Sequence, residues 1–194
     1  MIAFSTFRFV TSNTAKLHEA SAILGTPLQQ VDLDLPEIQG LDLVAVVRDK
    51  ARRAFAMVGS AVLVEDTALG LDDLGGFPGP LVRWALMAAG PEALCRMAAG
   101  CPTREATARC AVVTWDGERY HLGLGTVAGT IAQQPRGRNG FGWDVVFAPE
   151  WGGGRTYAEM TPEEKNNRSH RTLALQALQG ALSGANGCAP LPQL

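Results

Sequence analysis

Two adjacent carboxylates, Glu65 and Asp66, close an apolar, partly β-branched run at residues 61–64. Such a run reads as a buried strand, and ligands of α/β sheets gather beyond the carboxyl ends of strands. A carboxylate there can hold Mg²⁺, which prefers oxygen ligands and keeps several waters. It can also take a proton from an attacking water. A strand-end charge pair facing solvent is the other reading. Glu37, beside Pro36 after a second strand, is either a further metal ligand or an ordinary loop acid.

Three more segments carry usable groups. Thr11-Ser12-Asn13-Thr14-Ala15-Lys16 lies between a strand and a helix. Backbone N–H groups at a helix start bind anions with help from the helix dipole, and Lys16 in the first turn can reach the same anion. The glycines of a P-loop are absent. Asn13 as a plain cap and Lys16 as a solvated charge is the alternative. Phe141-Gly142-Trp143-Asp144 sets two aromatics among permissive glycines, which suits stacking on a flat base as well as core packing. Lys165-Asn166-Asn167-Arg168-Ser169-His170-Arg171 gathers cations and a histidine at a helix start, as a binding site or a solvated charge run. A triphosphate is strongly anionic, so Lys16, Lys50, Lys165, Arg171 and Mg²⁺ would bring a shared pocket near balance. All these segments fall at element ends, where binding groups belong.

The elements that must position them follow from periodicity. Residues 8–11 read as a strand. Ser12-Asn13 opens a helix with Leu17, Ala20, Ile23 and Leu24 on one face, stopped by Gly25. Residues 28–33 form a second strand. Asp42 caps a long helix whose stripe holds Leu43, Val47, Ala51, Ala54, Phe55 and Val58, with Lys50 at its edge. Residues 75–80 read as a turn-rich loop, with Pro78 either cis or trans. Helices are expected at 81–89 and 91–99. Strands at 106–115 and 119–127 flank the hairpin signal Asp116-Gly117. Further short strands are expected at 130–132 and 144–147, around a flexible loop at 137–142. Thr161-Pro162-Glu163-Glu164 is a capping box with Pro at the first helical position. Ser169 caps a last helix carrying Leu175, Leu178 and Leu182. This order predicts an α/β fold, a mixed sheet with flanking helices. We expect one domain over residues 1–194, with a core to 184 and a flexible Gly/Pro-rich tail at 185–194.

Several function classes lose ground on composition. The 194 residues carry a net charge of −2, from 17 Lys and Arg against 19 Asp and Glu. No basic excess points to a nucleic-acid partner. No stretch approaches about 18 apolar residues, so no membrane partner is expected. Cys95, Cys101, Cys110 and Cys188 form no C-x-x-C pair and read as idle reduced thiols. No signal-peptide pattern opens the chain, so a cytoplasmic location is expected.

The motifs together resemble the inosine triphosphatase-like family, pyrophosphatases of non-standard purine nucleoside triphosphates. The resemblance runs through Thr11-Ser12-Asn13…Lys16, Asp34-Leu35-Pro36-Glu37 and Val64-Glu65-Asp66-Thr67. It continues through Leu74-Gly75-Gly76-Phe77-Pro78-Gly79-Pro80, Gly140-Phe141-Gly142-Trp143-Asp144 and Tyr157-Ala158-Glu159-Met160, and on to Glu164-Lys165-Asn166…Ser169-His170-Arg171. Ser12 stands where the family commonly has Gly, and residues 42–48 lack an acid often found there. The resemblance implies an elongated mixed α/β fold of two lobes with a central cleft, a homodimer, and dependence on Mg²⁺, with Mn²⁺ as a substitute. It implies hydrolysis of ITP, dITP and XTP to a monophosphate and pyrophosphate. It assigns Asp66 as general base and metal ligand and Glu37 as metal ligand. Asn13, Lys16 and Lys50 would hold the triphosphate, with Thr67 against the substrate. Phe141, Trp143, Asp144, Lys165, His170 and Arg171 would hold base and sugar. Two other readings stay open: a non-catalytic nucleotide-binding or sensor protein, and a pyrophosphatase for other modified nucleotides.

Overall fold

The computed structural model describes residues 4–33 and 35–184. Asp34, Cys188 and the tail expected at 185–194 lie outside the described residues. Strand β1 (Arg8–Val10) leads into helix α1 (Thr14–Leu24). The Asn13 carboxamide oxygen accepts from the N–H groups of Ala15 and Lys16, and Gly25 ends the helix at φ 63°. Strand β2 (Gln29–Val31) follows, then helix α2 (Leu43–Val58) under its Asp42 cap. Strand β3 (Val62–Leu71), strand β4 (Phe77–Gly79) and helices α3 (Val82–Ala89) and α4 (Glu92–Ala99) come next. The long hairpin of β5 (Glu105–Trp115) and β6 (Tyr120–Ile131) precedes strand β7 (Phe147–Pro149). Helices α5 (Pro162–Arg168) and α6 (His170–Leu182) complete the described chain.

The seven strands form one mixed sheet in the order β2-β1-β3-β5-β6-β7, with β4 also on β3. β1 runs parallel to β2 and β3, and the other pairings are antiparallel. Strand β3 is the axis. One edge pairs with β5 along its whole length. Its other edge pairs with β1 only at Val62 and Leu63, and with β4 only from Leu69. Residues 64–68 of that edge therefore have no strand neighbour among the described residues.

Several expectations are corrected here. The strand expected to finish at Glu65-Asp66 continues to Leu71, because the hairpin partner β5 supports it past the two acids. The 75–80 segment is not wholly loop. Its Phe77–Gly79 stretch is a short antiparallel strand, and the Phe77–Pro78 bond is cis. Proline is tolerated there because β4 pairs with β3 alone. The strand expected at 130–132 is the far end of β6. Residues 143–146 are turn rather than strand, and β7 begins only at Phe147.

Helices cover both faces. α1 and α6 bury Phe9, Leu63, Leu175 and Leu178 on one side, and α2 buries Val47, Ala54, Val62 and Val64 on the other. Cutting back a fully buried side chain such as Leu178 should cost about 2–5 kcal/mol. A third cluster, with Leu71, Leu94, Phe147 and Tyr157, fills the β4–β7 end. α6 lies directly on β6. A side chain at Gly123 would strike the Ala174 carbonyl, and one at Gly125 the His170 carbonyl.

Candidate active site

The unpaired stretch of β3 is where the chemistry-bearing groups collect. Successive strand residues face opposite sides, so Glu65 points toward α1 and α6 while Asp66 shares the side of Val64. The ligand space thus arises from a gap in the sheet edge, not from a strand end. The Thr67 N–H donates to Asp66 Oδ1 at 2.9 Å, which occupies one free backbone donor. Lys16 Nζ, from the first turn of α1, lies 3.4 Å from Glu65 and 4.0 Å from Asp66.

On the Glu65 side the charges are sealed in. Arg171, at the start of α6, is 1% exposed. Its Nε and Nη2 each donate to one Glu65 carboxylate oxygen at 2.8 Å. Its Nη1 donates to Glu19, from α1. The other oxygen of Glu19 holds Lys165 Nζ at 2.6 Å, and Lys165 also bonds Asp144 at 2.7 Å. Asp144 Oδ2 in turn accepts from the Phe141 N–H. That tight turn needs Gly140, which sits at φ 73° and has no room for a side chain against Asp144. Burial raises the Glu65 carboxyl above its ordinary value, against the pull of Lys16, and lowers the Arg171 guanidinium to about 9. Bidentate pairing of this kind favours the ionised pair.

Aromatic rings wrap this network. Phe141 lies over Lys165 Nζ at 5.1 Å and over the Arg171 guanidinium at 5.6 Å. Trp143 is packed in the core against Phe147, Tyr157 and His170, with centroids 5.6, 6.2 and 5.0 Å away, while still lining the cavity. Of the two aromatics expected to offer a stacking surface, Phe141 is the less buried. His170 is held well below its ordinary pKa, first by burial and then by Lys165 and Lys16, so its ring is neutral.

On the Asp66 side the charges face open space. Lys50, from α2, pairs with Glu37 at 2.5 Å, and Arg83 of α3 approaches the other Glu37 oxygen at 3.8 Å. Burial raises the Glu37 carboxyl, but Lys50, Lys16 and Arg83 outweigh it and leave the group below its ordinary value. Glu37 and Asp66 line the same cavity and offer only oxygen donors. No group of three or more His, Cys, Asp or Glu suited to a metal occurs among the described residues. A pair of carboxylates fits Mg²⁺, which takes one or two from protein and completes its shell with water and phosphate.

A cavity of about 600 Å³ joins the two sides. Thr11, Ser12, Asn13, Thr14 and Lys16 form one wall of it. Lys50, Thr67 and the two carboxylates form the floor, and Phe141, Gly142, Trp143, Asp144, Lys165, His170 and Arg171 the far wall. Ala15 alone among the expected residues is not on it; its N–H is taken by the Asn13 cap. The sequence reading missed Arg83 and Trp84 at the mouth, and Glu19 behind the wall. An Arg-Trp pair just after Gly75-Gly76-Phe77-Pro78-Gly79-Pro80 was the available signal for the first two.

Comparison with known proteins bears on this arrangement. The model of the Ham1 family matches residues 7–181. The inosine triphosphate pyrophosphatase of Schizosaccharomyces pombe is 43% identical over 186 residues, covering 94% of this chain and 97% of that protein. The dITP/XTP pyrophosphatase of Pyrobaculum aerophilum is 38% identical over 182 residues, 92% of this chain and 97% of its own. Among solved structures, the Staphylococcus aureus Ham1 protein superposes with a TM-score of 0.76 at 25% identity, covering 92% of this chain and all of that one. The HAM1 protein of Coxiella burnetii gives 0.75 at 29% identity, covering 91% and 98%.

Proposed function

The chain belongs to the Ham1 family, and from that premise we propose how its cavity works. The protein is a nucleoside-triphosphate pyrophosphatase that hydrolyses non-standard purine nucleotides such as ITP, dITP and XTP to a monophosphate and pyrophosphate. The observation that carries the residue assignments is a shared cavity: Asp66 and Lys16 line the same space as Phe141, Lys165 and Arg171.

Asp66 is the general base. It takes a proton from a water whose oxygen attacks the α-phosphorus, and the bond to the bridging oxygen breaks to release pyrophosphate. Lys16, Lys50 and the start of α1 stabilise the charge that builds on the leaving group. Asp66 and Glu37 would hold Mg²⁺, or Mn²⁺ in its place, which supplies Lewis acidity and lowers the pKa of bound water. Glu37 and Lys50 neutralise one another at 2.5 Å. With substrate bound they exchange partners, Lys50 turning to phosphate and Glu37 to the cation.

Base selection falls to the sealed wall. Arg171 has five N–H groups, and three of them donate to Glu65 and Glu19. The remaining two are available to a 6-carbonyl, as in hypoxanthine and xanthine. Adenine offers an amino donor there, and two opposed donors leave a buried group unpaired, which penalises binding strongly. Phe141 closes over the base. A homodimer and a cytoplasmic location belong to the same proposal. The free thiols Cys95, Cys101 and Cys110 suit a reducing compartment; no described helix is long and apolar enough to cross a membrane.

The test is pyrophosphate release from a panel of ITP, XTP, dITP, ATP and modified pyrimidine triphosphates, with and without Mg²⁺. Metal-dependent turnover confined to ITP, XTP and dITP supports the reading. Tight binding of ITP without turnover would instead mark a nucleotide sensor, and preference for other bases a different pocket. A single-chain mass by analytical ultracentrifugation removes the dimer.

A further inference from the structure

The cavity mouth carries apolar surface that the proposed chemistry leaves idle. Arg83, Trp84 and Met87, all on α3, line it. Trp84 is 48% exposed and Met87 66%, so neither is a core side chain. Residues three and four apart share a helix face, which puts Met87 on the face of both Trp84 and Arg83. About 6 Å of helix separates Met87 from Arg83. The Arg83 guanidinium lies over the Trp84 ring at 5.8 Å and approaches Glu37 only at 3.8 Å, so it is loosely held.

Among the described methionines, Met87 alone combines exposure with a place on the cavity. Met57 is 59% exposed, but it belongs to α2 and does not line the cavity. Met97 is partly buried against the core, and Met160 is 1% exposed. We propose that Met87 is an oxidation site through which peroxide weakens substrate binding. This rests on the nucleotide-pyrophosphatase reading of the cavity. The thioether sulfur attacks one oxygen of hydrogen peroxide. An S–O bond forms, the O–O bond breaks, and the second oxygen leaves as water with both protons. Sulfur gives up two electrons to the peroxide, and the methionine becomes its sulfoxide.

The product differs from methionine in kind, because a flexible apolar side chain becomes a polar one. Its oxygen accepts hydrogen bonds, and Arg83, one turn earlier on the same face, has guanidinium donors to offer. A guanidinium drawn to residue 87 leaves Glu37 with Lys50 alone. The mouth then shows a strongly anionic substrate less apolar surface and one cation fewer. Asp66, on the cavity floor, keeps its own contacts with Thr67 and Lys16. The change therefore falls on binding and not on the chemical step.

The experiment treats the full chain with hydrogen peroxide, removes the excess, and locates the added oxygen by peptide mass spectrometry. KM and kcat for ITP are compared before and after treatment in wild type, Met87→Leu and Met57→Leu. Wild type and Met57→Leu should show KM raised by about threefold or more with kcat within about twofold. Met87→Leu should keep its own untreated KM. Methionine sulfoxide reductase should restore the wild-type KM, and a thiol reductant should not. An unchanged KM in protein that carries the oxygen on Met87 overturns the proposal, as does treated protein in which Met87 stays unoxidised. So does a rise in KM that persists in Met87→Leu. Recovery by a thiol reductant also overturns it, since that marks a cysteine such as the partly buried Cys101. Untreated wild-type protein that fails to turn over ITP sinks the functional reading instead, and the mass-spectrometric site of oxidation is read independently of it.

Discussion

Glu65 and Asp66 are neighbours on β3, yet they sit on opposite sides of the strand. Glu65 is 2% exposed and locked to Arg171 by two hydrogen bonds. Asp66 lines an open cavity and is met by Lys16 only at 4.0 Å. The two regions around them repeat the contrast. Behind Glu65, every charge named above has a partner within 3.4 Å, so groups are held in fixed directions. Around Asp66, Glu37 and Lys50, the charges face a space large enough for substrate. In the proposed mechanism selection needs preset geometry and reaction needs groups that can change partners, and alternation along one strand supplies both settings.

The contrast can be broken by substitution. Asp66→Asn should cut kcat by about 10²–10⁴-fold with an unchanged melting temperature; a near-normal rate removes Asp66 as base. Glu65→Ala should leave the buried Arg171 with Glu19 as its remaining carboxylate partner and with its Nε donor unpaired, and destabilise the fold by about 3–5 kcal/mol, read by urea denaturation. A loss comparable to a surface substitution would mean that the sealed region is not sealed. Lys50→Met should raise KM for ITP by about tenfold with little change in stability, since its partner Glu37 is reachable by water. A stability loss as large as that of Glu65→Ala would erase the difference between the regions.

The smallest expected effect concerns pH. The folded pKa of His170 lies well below the ordinary 6.5, so the unfolded chain takes up the proton first. Its contribution to stability is intact above about pH 6.5 and falls as pH drops below it, by up to about 1.4 kcal/mol per pH unit. His170→Gln should flatten that part of the stability–pH curve relative to wild type. Parallel curves for the two proteins would show that the ring is not buried as a neutral group.

Much of this was legible in the residues themselves. Asn13, Asp42 and Ser169 are cap residues by chemistry, and each does cap its helix. Asp116-Gly117 does turn the hairpin. The length of β3 was not legible, because two consecutive acids interrupt its apolar run, and only pairing with a strand some forty residues later carries it on. Glu19 was hidden for a related reason. Beside Lys16 on a helix it reads as an ordinary surface charge pair, and its partners lie near the far end of the chain. Trp143 was legible as an aromatic of the site, but its packing against Phe147 and Tyr157 depends on a turn that the sequence presents as a strand.

The bare backbone of β6 at Gly123 and Gly125 makes the sheet the reference plane from which α6 is measured. A single methyl at Gly125 would lift the His170 carbonyl and carry Arg171 with it, altering the spacing to Glu65 while adding nothing to the cavity. The placement of Arg171 is then set partly by two missing side chains, on a strand that does not line the cavity.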